Sequence, residues 1–278
     1  MEINWFPGHM AKALKETEAN LKLADVVIYV LDSRAPASCL NPSIDSLLKI
    51  PTLFVLNKAD MVEDADLEGW KKYFGVNKVV AVNAVKSNGA ASIKRCVKKL
   101  VEDKIKKYEA KGVKKCIRAV VVGVPNCGKS TIINNLCGNA KTITGNRAGV
   151  TKGQQWVRVD NFMEICDTPG TLYPKLYDAK KARHLAYIGS IRDEVLDTDE
   201  LARQLLSELV AICPQLLKNR YNIEFNGDIE LFMSDIARKR GFLANGGVAD
   251  ASKAAVALID DFRKGRLGKI ILEQPDEN

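Results

Sequence analysis

The chain has 278 residues, 46% of them apolar and 27% charged, with a formal net charge of +8. That is the composition of a soluble globular protein with room for one large or two smaller domains. No apolar run approaches the ~20 residues of a membrane span, and Met1-Glu-Ile-Asn-Trp5 has neither the basic nor the apolar region of a secretory signal.

In chain order, Trp5-Phe-Pro-Gly-His9-Met10 predicts a packed, turned arm, followed by a helix over 11–23. A strand over 25–32 comes next, then loop signals at Ser33-Arg-Ala-Pro36 and Asn41-Pro42, and a short helix over 43–49. Residues 52–56 read as a second buried strand ending in Asn57-Lys58-Ala59-Asp60, 64–74 as a helix, and 78–82 as a third strand ending in Asn83-Ala84. A basic helix is predicted over 90–108, stopped by Lys111-Gly112. The charge surplus sits here. Residues 86–118 hold twelve Lys/Arg against three acids, and the rest of the chain has 30 basic and 31 acidic residues. Such a stripe either meets a phosphate backbone or is a solvated helix face.

A fourth strand over 116–122 runs into Gly123-Val-Pro-Asn-Cys-Gly-Lys-Ser130, which fits the phosphate-binding G-x-x-x-x-G-K-[ST]. The glycines let successive backbone N–H groups, from Asn126, Cys127 and Gly128 through Lys129, Ser130 and Thr131, turn towards a phosphate at a helix N-terminus. Lys129 is expected to reach the β- and γ-phosphates, and Ser130 to bind Mg²⁺. An aperiodic polar stretch over 141–152 follows. Two strands about Asp160-Asn161 then form a hairpin ending in Asp167-Thr-Pro-Gly170. There Asp167 is expected to hold Mg²⁺ through water, and the Gly170 N–H to sense the γ-phosphate. Thr151 is either a second hydroxyl on Mg²⁺ or an ordinary loop threonine. Beyond Pro174 helical periods dominate, at 179–187, 199–212, 228–238 and 252–264, with Asp199 and Ser252 as N-cap candidates. The last residues, 274–278, are expected to fray. The cysteines, seven and with no C-x-x-C, read as reduced small hydrophobes, with Cys127 inside the phosphate loop.

Asn57-Lys58-Ala59-Asp60 selects the base. A carboxylate at Asp60 can accept from both N1–H and the 2-amino group of guanine, a donor pair that adenine lacks. Asn57 is expected to tie the base loop to the phosphate loop, Lys58 to lay its stem over the ring face, and a backbone N–H at Asn83-Ala84 to meet the guanine O6. The set is complete for a GTPase, but the base loops precede the phosphate loop. The fold expected is α/β: a circularly permuted Ras-like P-loop GTPase domain with a mixed, mostly parallel sheet over 1–175, followed by an all-helical domain over 176–278.

With the Trp-Phe-Pro-Gly-His-Met opening, Ala148-Gly-Val-Thr151 and the tail Asp261-Phe-Arg-Lys-Gly-Arg-Leu-Gly-Lys269, this permuted order resembles the ribosome-biogenesis GTPase A family (YlqF/RbgA type). The resemblance implies a cytoplasmic GTPase, slow alone and stimulated by the ribosomal subunit. It would act in late maturation of the large subunit and be released or rearranged on hydrolysis. Its partners would be the subunit precursor, rRNA and ribosomal proteins, with no membrane, and the protein would be a monomer. The resemblance also implies a hydrolytic role for His9, against which stands a packed structural histidine. Thr171, where Ras-like proteins carry a water-positioning Gln, departs from the family's usual apolar residue. Likeness to potassium-activated GTPases implies that Asn126 helps bind K⁺; a loop-stabilising asparagine is the alternative. The basic helix and the tail cations Arg238, Lys239, Arg240, Arg263, Lys264, Arg266 and Lys269 are candidate RNA contacts. Two other classes remain at this stage. A P-loop metabolic kinase leaves Asn57-Lys-Ala-Asp60 unexplained, and a translation or membrane-traffic GTPase lacks a lipidation motif and does not share the permuted order.

Overall fold

The computed structural model describes residues 9–86, 89–138, 156–172 and 178–275. Contacts divide the chain into two compact units: Asn4–Lys175 with Glu273–Asn278, and Leu176–Leu272 with Met1–Ile3. The first is built on strands β1 (Val26–Asp32), β2 (Thr52–Asn57), β3 (Val79–Val82), β4 (Ile117–Val122), β5 (Trp156–Arg158) and β6 (Met163–Asp167). They form one sheet in the order β3-β2-β1-β4-β6-β5, parallel except for β5 against β6. All seven residues of β1 are buried, which is why it reads as an unbroken apolar run rather than an alternating one. The chain steps outward from β1 to β3, then returns to lay β4 on the other side of β1. That reversal leaves a crevice at the carboxyl ends of β1 and β4, the usual ligand position in an open α/β sheet.

The helices of this unit are α1 (His9–Leu23), α2 (Pro36–Cys39), α3 (Pro42–Asp45), α4 (Asp64–Phe74), α5 (Gly89–Leu100), α6 (Glu102–Glu109) and α7 (Lys129–Cys137). Proline starts α2 and α3, where its missing N–H costs nothing, and the Asn41 side chain caps α3 by accepting from the Ser43 N–H. The helix expected over 43–49 is thus a single turn. The basic helix expected as one piece breaks at Val101 (φ −110°, ψ 13°). Up to that point Ile93, Val97 and Val101 are buried; α6 beyond it buries no side chain. Five of the basic stretch's cations are paired with acids: Lys104 and Lys115 with the buried Asp25, Lys94 with Asp160, Lys106 with Glu102 and Arg118 with Glu164.

Residues 274 and 275 depart from the expectation of fraying, while 276–278 lie outside the described residues. Trp70 Nε1 donates to the Glu273 carbonyl at 3.2 Å, the Ser38 N–H and hydroxyl donate to the Glu273 carboxylate, and Gln274 Nε2 donates to Asp66 at 2.9 Å. Residues 273–275 therefore belong to the α/β unit.

The second unit holds α8 (Ala179–Tyr187), α9 (Thr198–Ile212), α10 (Pro214–Tyr221), α11 (Ile229–Arg240) and α12 (Ala251–Arg263). Leu201, Leu205 and Leu209 of α9, Phe232 and Ile236 of α11 and Leu258 and Phe262 of α12 are its buried core residues. Aspartates cap four of these helices, Asp178, Asp197, Asp228 and Asp250. Asp197 and Asp250 stand two residues before the expected Asp199 and Ser252. The Ser252 hydroxyl instead donates to Asp199 at 2.7 Å.

Two carboxylates, Glu208 partly buried and Asp261 fully so, knit this unit. Glu208 accepts from Arg183, from Tyr187 Oη and from the fully buried His184, which is therefore a packing histidine. Asp261, 1% exposed, accepts from Arg220, Tyr221 Oη, Arg240 and Arg266. Arg263 is tied to Asp193 and to the Ala186 and Tyr187 carbonyls. With Arg238 on Asp235 and Lys264 on Asp260, five of the seven tail cations expected to touch RNA are ion-paired within their own unit.

Candidate nucleotide site

The phosphate loop leaves β4 and turns directly into α7. Gly128 lies at φ +99°, a left-handed conformation that favours glycine, and a Cβ there would collide with the Asn57 amide. The close approach follows from a hydrogen bond: Asn57 Nδ2 donates to the Cys127 carbonyl at 2.8 Å. Asn57 Oδ1 accepts from the Ala84 N–H at 3.0 Å, and the Asn57 carbonyl accepts from the Ser33 N–H and hydroxyl. One buried asparagine at the end of β2 thus joins the loops that follow β1, β2, β3 and β4. The Ala84 N–H is accordingly occupied by Asn57, and is not the free donor expected for guanine O6. Asn83 uses its side chain locally, accepting from the Val85 N–H at 2.9 Å. Asn135 of α7 donates to the Ala84 carbonyl, which ties the phosphate-loop helix to the same turn.

Lys58 follows with φ +58°, and Ala59-Asp60 enter a single 3₁₀ turn. The Asp60 side chain is exposed at the mouth of the site, with no ion pair among the described residues. Cys127 is buried, and Asn126, Ser130 and Thr131 are exposed. Asn126 holds a left-handed backbone (φ +59°), a conformation asparagine tolerates. The cradle therefore presents its polar edge to solvent and its sulfur to the core.

On the β6 side, Lys129 is 7% exposed, and its ammonium donates to the Val124 carbonyl at 2.8 Å, folded back over its own loop. Gly170 lies against this lysine; a Cβ there would fall 2.9 Å from Pro125 Cα and 3.0 Å from Lys129 Nζ. Only glycine brings the backbone this close to the reactive lysine. Asp167 ends β6 with Oδ1 buried and without a hydrogen-bond partner. Burial pushes its carboxyl above the usual range, with Lys129 partly offsetting the rise. An orphaned carboxylate oxygen beside the phosphate loop, with an exposed Ser130 hydroxyl in the first turn of α7, is a donor set suited to a hard divalent cation. Thr168 anchors this strand end by donating to the Val121 carbonyl at 2.6 Å. Thr171 is 1% exposed and its carbonyl accepts from Asn41 Nδ2, so it sits in the core of the unit. His9 opens α1; its side chain, Thr151 and the aromatic arm before it lie outside the described residues.

The sequence reading passed over Asp32 and Arg34. Both are buried at the carboxyl end of β1, and Asp32 pairs with Lys58 Nζ at 2.7 Å. The available signal was a charged Asp-Ser-Arg directly after an unbroken apolar strand, a place where solvated loop residues are the ordinary reading.

Motif order, sheet topology and the phosphate loop at the sheet's reversal define a circularly permuted P-loop GTPase with a helical C-terminal unit. A family model described as a 50S ribosome-binding GTPase matches residues 118–219. The chain is 42% identical to ribosome biogenesis GTPase A of Bacillus cereus over 100% of its length and 95% of that protein. It is 30% identical to ribosome biogenesis GTPase A of Thermotoga maritima over 99% of its length and 95% of that protein. Among solved structures, GNP-bound YlqF from T. maritima superimposes with a TM-score of 0.69 at 26% identity, over 96% of this chain and all of that one. The chain belongs to the ribosome biogenesis GTPase A family.

Proposed function

We propose that this chain is a GTP-hydrolysing assembly factor for the large ribosomal subunit, with its nucleotide held between the loops that Asn57 joins. GTPase activity and a place in ribosome biogenesis come with family membership. The assignment of site roles is carried by one observation, the 2.8 Å hydrogen bond from the strand of the base loop to the phosphate-loop carbonyl of Cys127. It supports a reading in which Asp60 reads the base and Lys129 binds phosphate within one site despite the permuted order. Asp60 reads N1–H and the 2-amino group, and the Lys58 stem covers the ring. The amides from Asn126 to Thr131 surround the phosphates, and the Gly170 N–H senses the γ-phosphate. Ser130 and Asp167, the latter through water, hold Mg²⁺, with Thr151 as a further hydroxyl. The cation, when bound, neutralises charge on the phosphates. Lys129 then exchanges the Val124 carbonyl for phosphate oxygens.

Hydrolysis needs an oriented water, and Thr171 is buried in the core. The reading therefore gives that part to His9, carried at the head of α1. His9→Ala keeps GTP affinity and loses subunit-stimulated turnover; loss of nucleotide binding or of folding gives His9 a structural part instead. Asn126 contributes an oxygen for K⁺, and turnover unchanged on replacing K⁺ by Na⁺ removes that ion from the account. The protein acts in the cytoplasm as a monomer and meets rRNA and ribosomal proteins through clustered cations. In the basic stretch Arg95, Lys98, Lys99, Lys107, Lys111 and Lys114 make no ion pair among the described residues, so they are the first candidates. Co-sedimentation with large-subunit particles, compared between a GTP analogue and GDP at rising salt, tests the partner. State-dependent binding that weakens with salt supports it, and binding blind to nucleotide contradicts it.

A further inference from the structure

The carboxyl end of β1 carries charge that the base loop's own motif does not account for. Asp32 is 0% exposed and stands beside Asn57 in the pairing of β1 with β2. Its carboxylate accepts from Arg34 Nε at 2.9 Å, Arg34 Nη2 at 2.8 Å and the Arg34 main-chain N–H at 3.1 Å. The same carboxylate takes Lys58 Nζ at 2.7 Å. Arg34 is itself only 1% exposed. Burial alone would raise the Asp32 carboxyl, but Arg34 and then Lys58 outweigh it and hold it far below the usual carboxylate range. The group is therefore ionised wherever the protein is folded. Arg34 also lies within electrostatic reach of Asp60, so the cluster touches both ends of the base loop.

Lys58 is otherwise poorly restrained. Its backbone is left-handed (φ +58°, ψ 35°), a conformation unfavourable for a residue with a Cβ. Its four-carbon stem has many rotamers, and a useful contact has to overcome the entropy of ordering it. An ammonium drawn to a buried carboxylate on the neighbouring strand selects one of those rotamers before any nucleotide arrives. We propose that Asp32, oriented by Arg34, is the positioning residue for guanine-nucleotide affinity: it anchors the Lys58 ammonium and so presets the lysine stem as the cover of the base. This rests on the guanine-pocket reading given above. Arg34 fixes the carboxylate, the carboxylate fixes Lys58, and the stem meets the ring without first losing its freedom.

The test is GDP and IDP affinity by calorimetry for the wild type, Asp32→Asn, Lys58→Met and the double variant, with thermal unfolding in parallel. Each single change weakens GDP about tenfold, as expected when a preset stem–ring contact is lost. The double variant is no weaker than the worse single variant, because both remove the same anchor. The GDP-to-IDP ratio is unchanged, since a stem across the ring face does not read the 2-amino group. Additive losses, a collapsed GDP-to-IDP ratio, or an Asp32→Asn protein that melts lower yet binds GDP as well as wild type would overturn the proposal. Should Asp32→Asn fail to fold, Lys58→Met decides alone, because it leaves the Asp32–Arg34 pair intact; wild-type GDP affinity there overturns it. Wild-type protein that does not prefer guanine to adenine nucleotides removes the pocket reading itself, whereas guanine preference with both variants at wild-type affinity removes only this inference.

Discussion

Asp261 in the helical unit and Asp32 in the α/β unit each lie buried under several cations, and the two clusters do different things. Asp261, in the helical unit, gathers Arg220 from α10, Arg240 from α11 and Arg266 beyond α12, with the Tyr221 hydroxyl. Its partners come from elements far apart in sequence, and the cluster closes the helices on one another. Asp32, in the α/β unit, gathers Arg34 two residues away and Lys58 from the next loop. It spans only the ends of two neighbouring strands, and its partners stand where the base is to be read. A buried ion pair is often no better for folding than well-packed apolar side chains would be once desolvation is counted. The chemistry is the same, and what surrounds each group separates a rivet from a positioning device.

The comparison is broken most severely at Asp261. Asp261→Asn leaves three guanidinium groups around an uncharged amide and should lower stability by about 3 kcal/mol, read as a fall in the denaturation midpoint. GDP affinity of the folded protein should stay at the wild-type value, and a variant that folds well but loses GDP would erase the distinction drawn here. Acid sharpens the same contrast. Burial raises the Asp261 carboxyl, but Arg220 and Arg266 bring it down to about 2, below the ordinary 3.8. A depressed carboxylate stabilises the fold above its unfolded-state value, and that contribution disappears as pH falls through the folded one. The stability gap between wild type and Asp261→Asn should therefore be constant above pH ~4 and narrow by about 2 kcal/mol towards pH ~2; a gap independent of pH across that window would contradict the assignment.

The smallest effect is expected on the phosphate side, where Asp167 keeps one buried oxygen without a hydrogen-bond partner. Asp167→Asn should stabilise the nucleotide-free protein by about 1 kcal/mol, by removing a partly buried charge whose desolvation its neighbours offset only in part, while lowering GTP turnover. Calorimetric unfolding without nucleotide and a phosphate-release assay read the two halves. Destabilisation together with normal turnover would show that Asp167 serves the fold alone.

The legible and illegible parts of this chain differ by the range of the physics involved. The phosphate loop, Asn57-Lys58-Ala59-Asp60 and Asp167-Thr-Pro-Gly170 could be read because each is a local backbone requirement placed at the end of an apolar strand. The sheet was legible for the same reason: β1, β2 and β4 are apolar runs. Helix caps were displaced by two residues, to Asp197 and Asp250, because two acceptors compete within one turn and the winner depends on entry geometry. The break at Val101 was hidden because the basic pattern continues through it, while the burial that stops there is tertiary. Asp32, Arg34 and Glu273 were missed for a single reason. A charge beside a turn looks solvated until the strand or chain end that covers it is known. The partner of the Ala84 N–H was hidden in the same way, since Asn57 Oδ1 comes from a neighbouring strand.

The most direct measurement is calorimetric titration of the purified, Mg²⁺-loaded protein with GDP and with ADP. A shared site in which Asp60 reads the base and the Asn57-linked phosphate loop holds the diphosphate predicts tight GDP binding, with ADP at least about a hundredfold weaker. Equal affinity for the two nucleotides would contradict it.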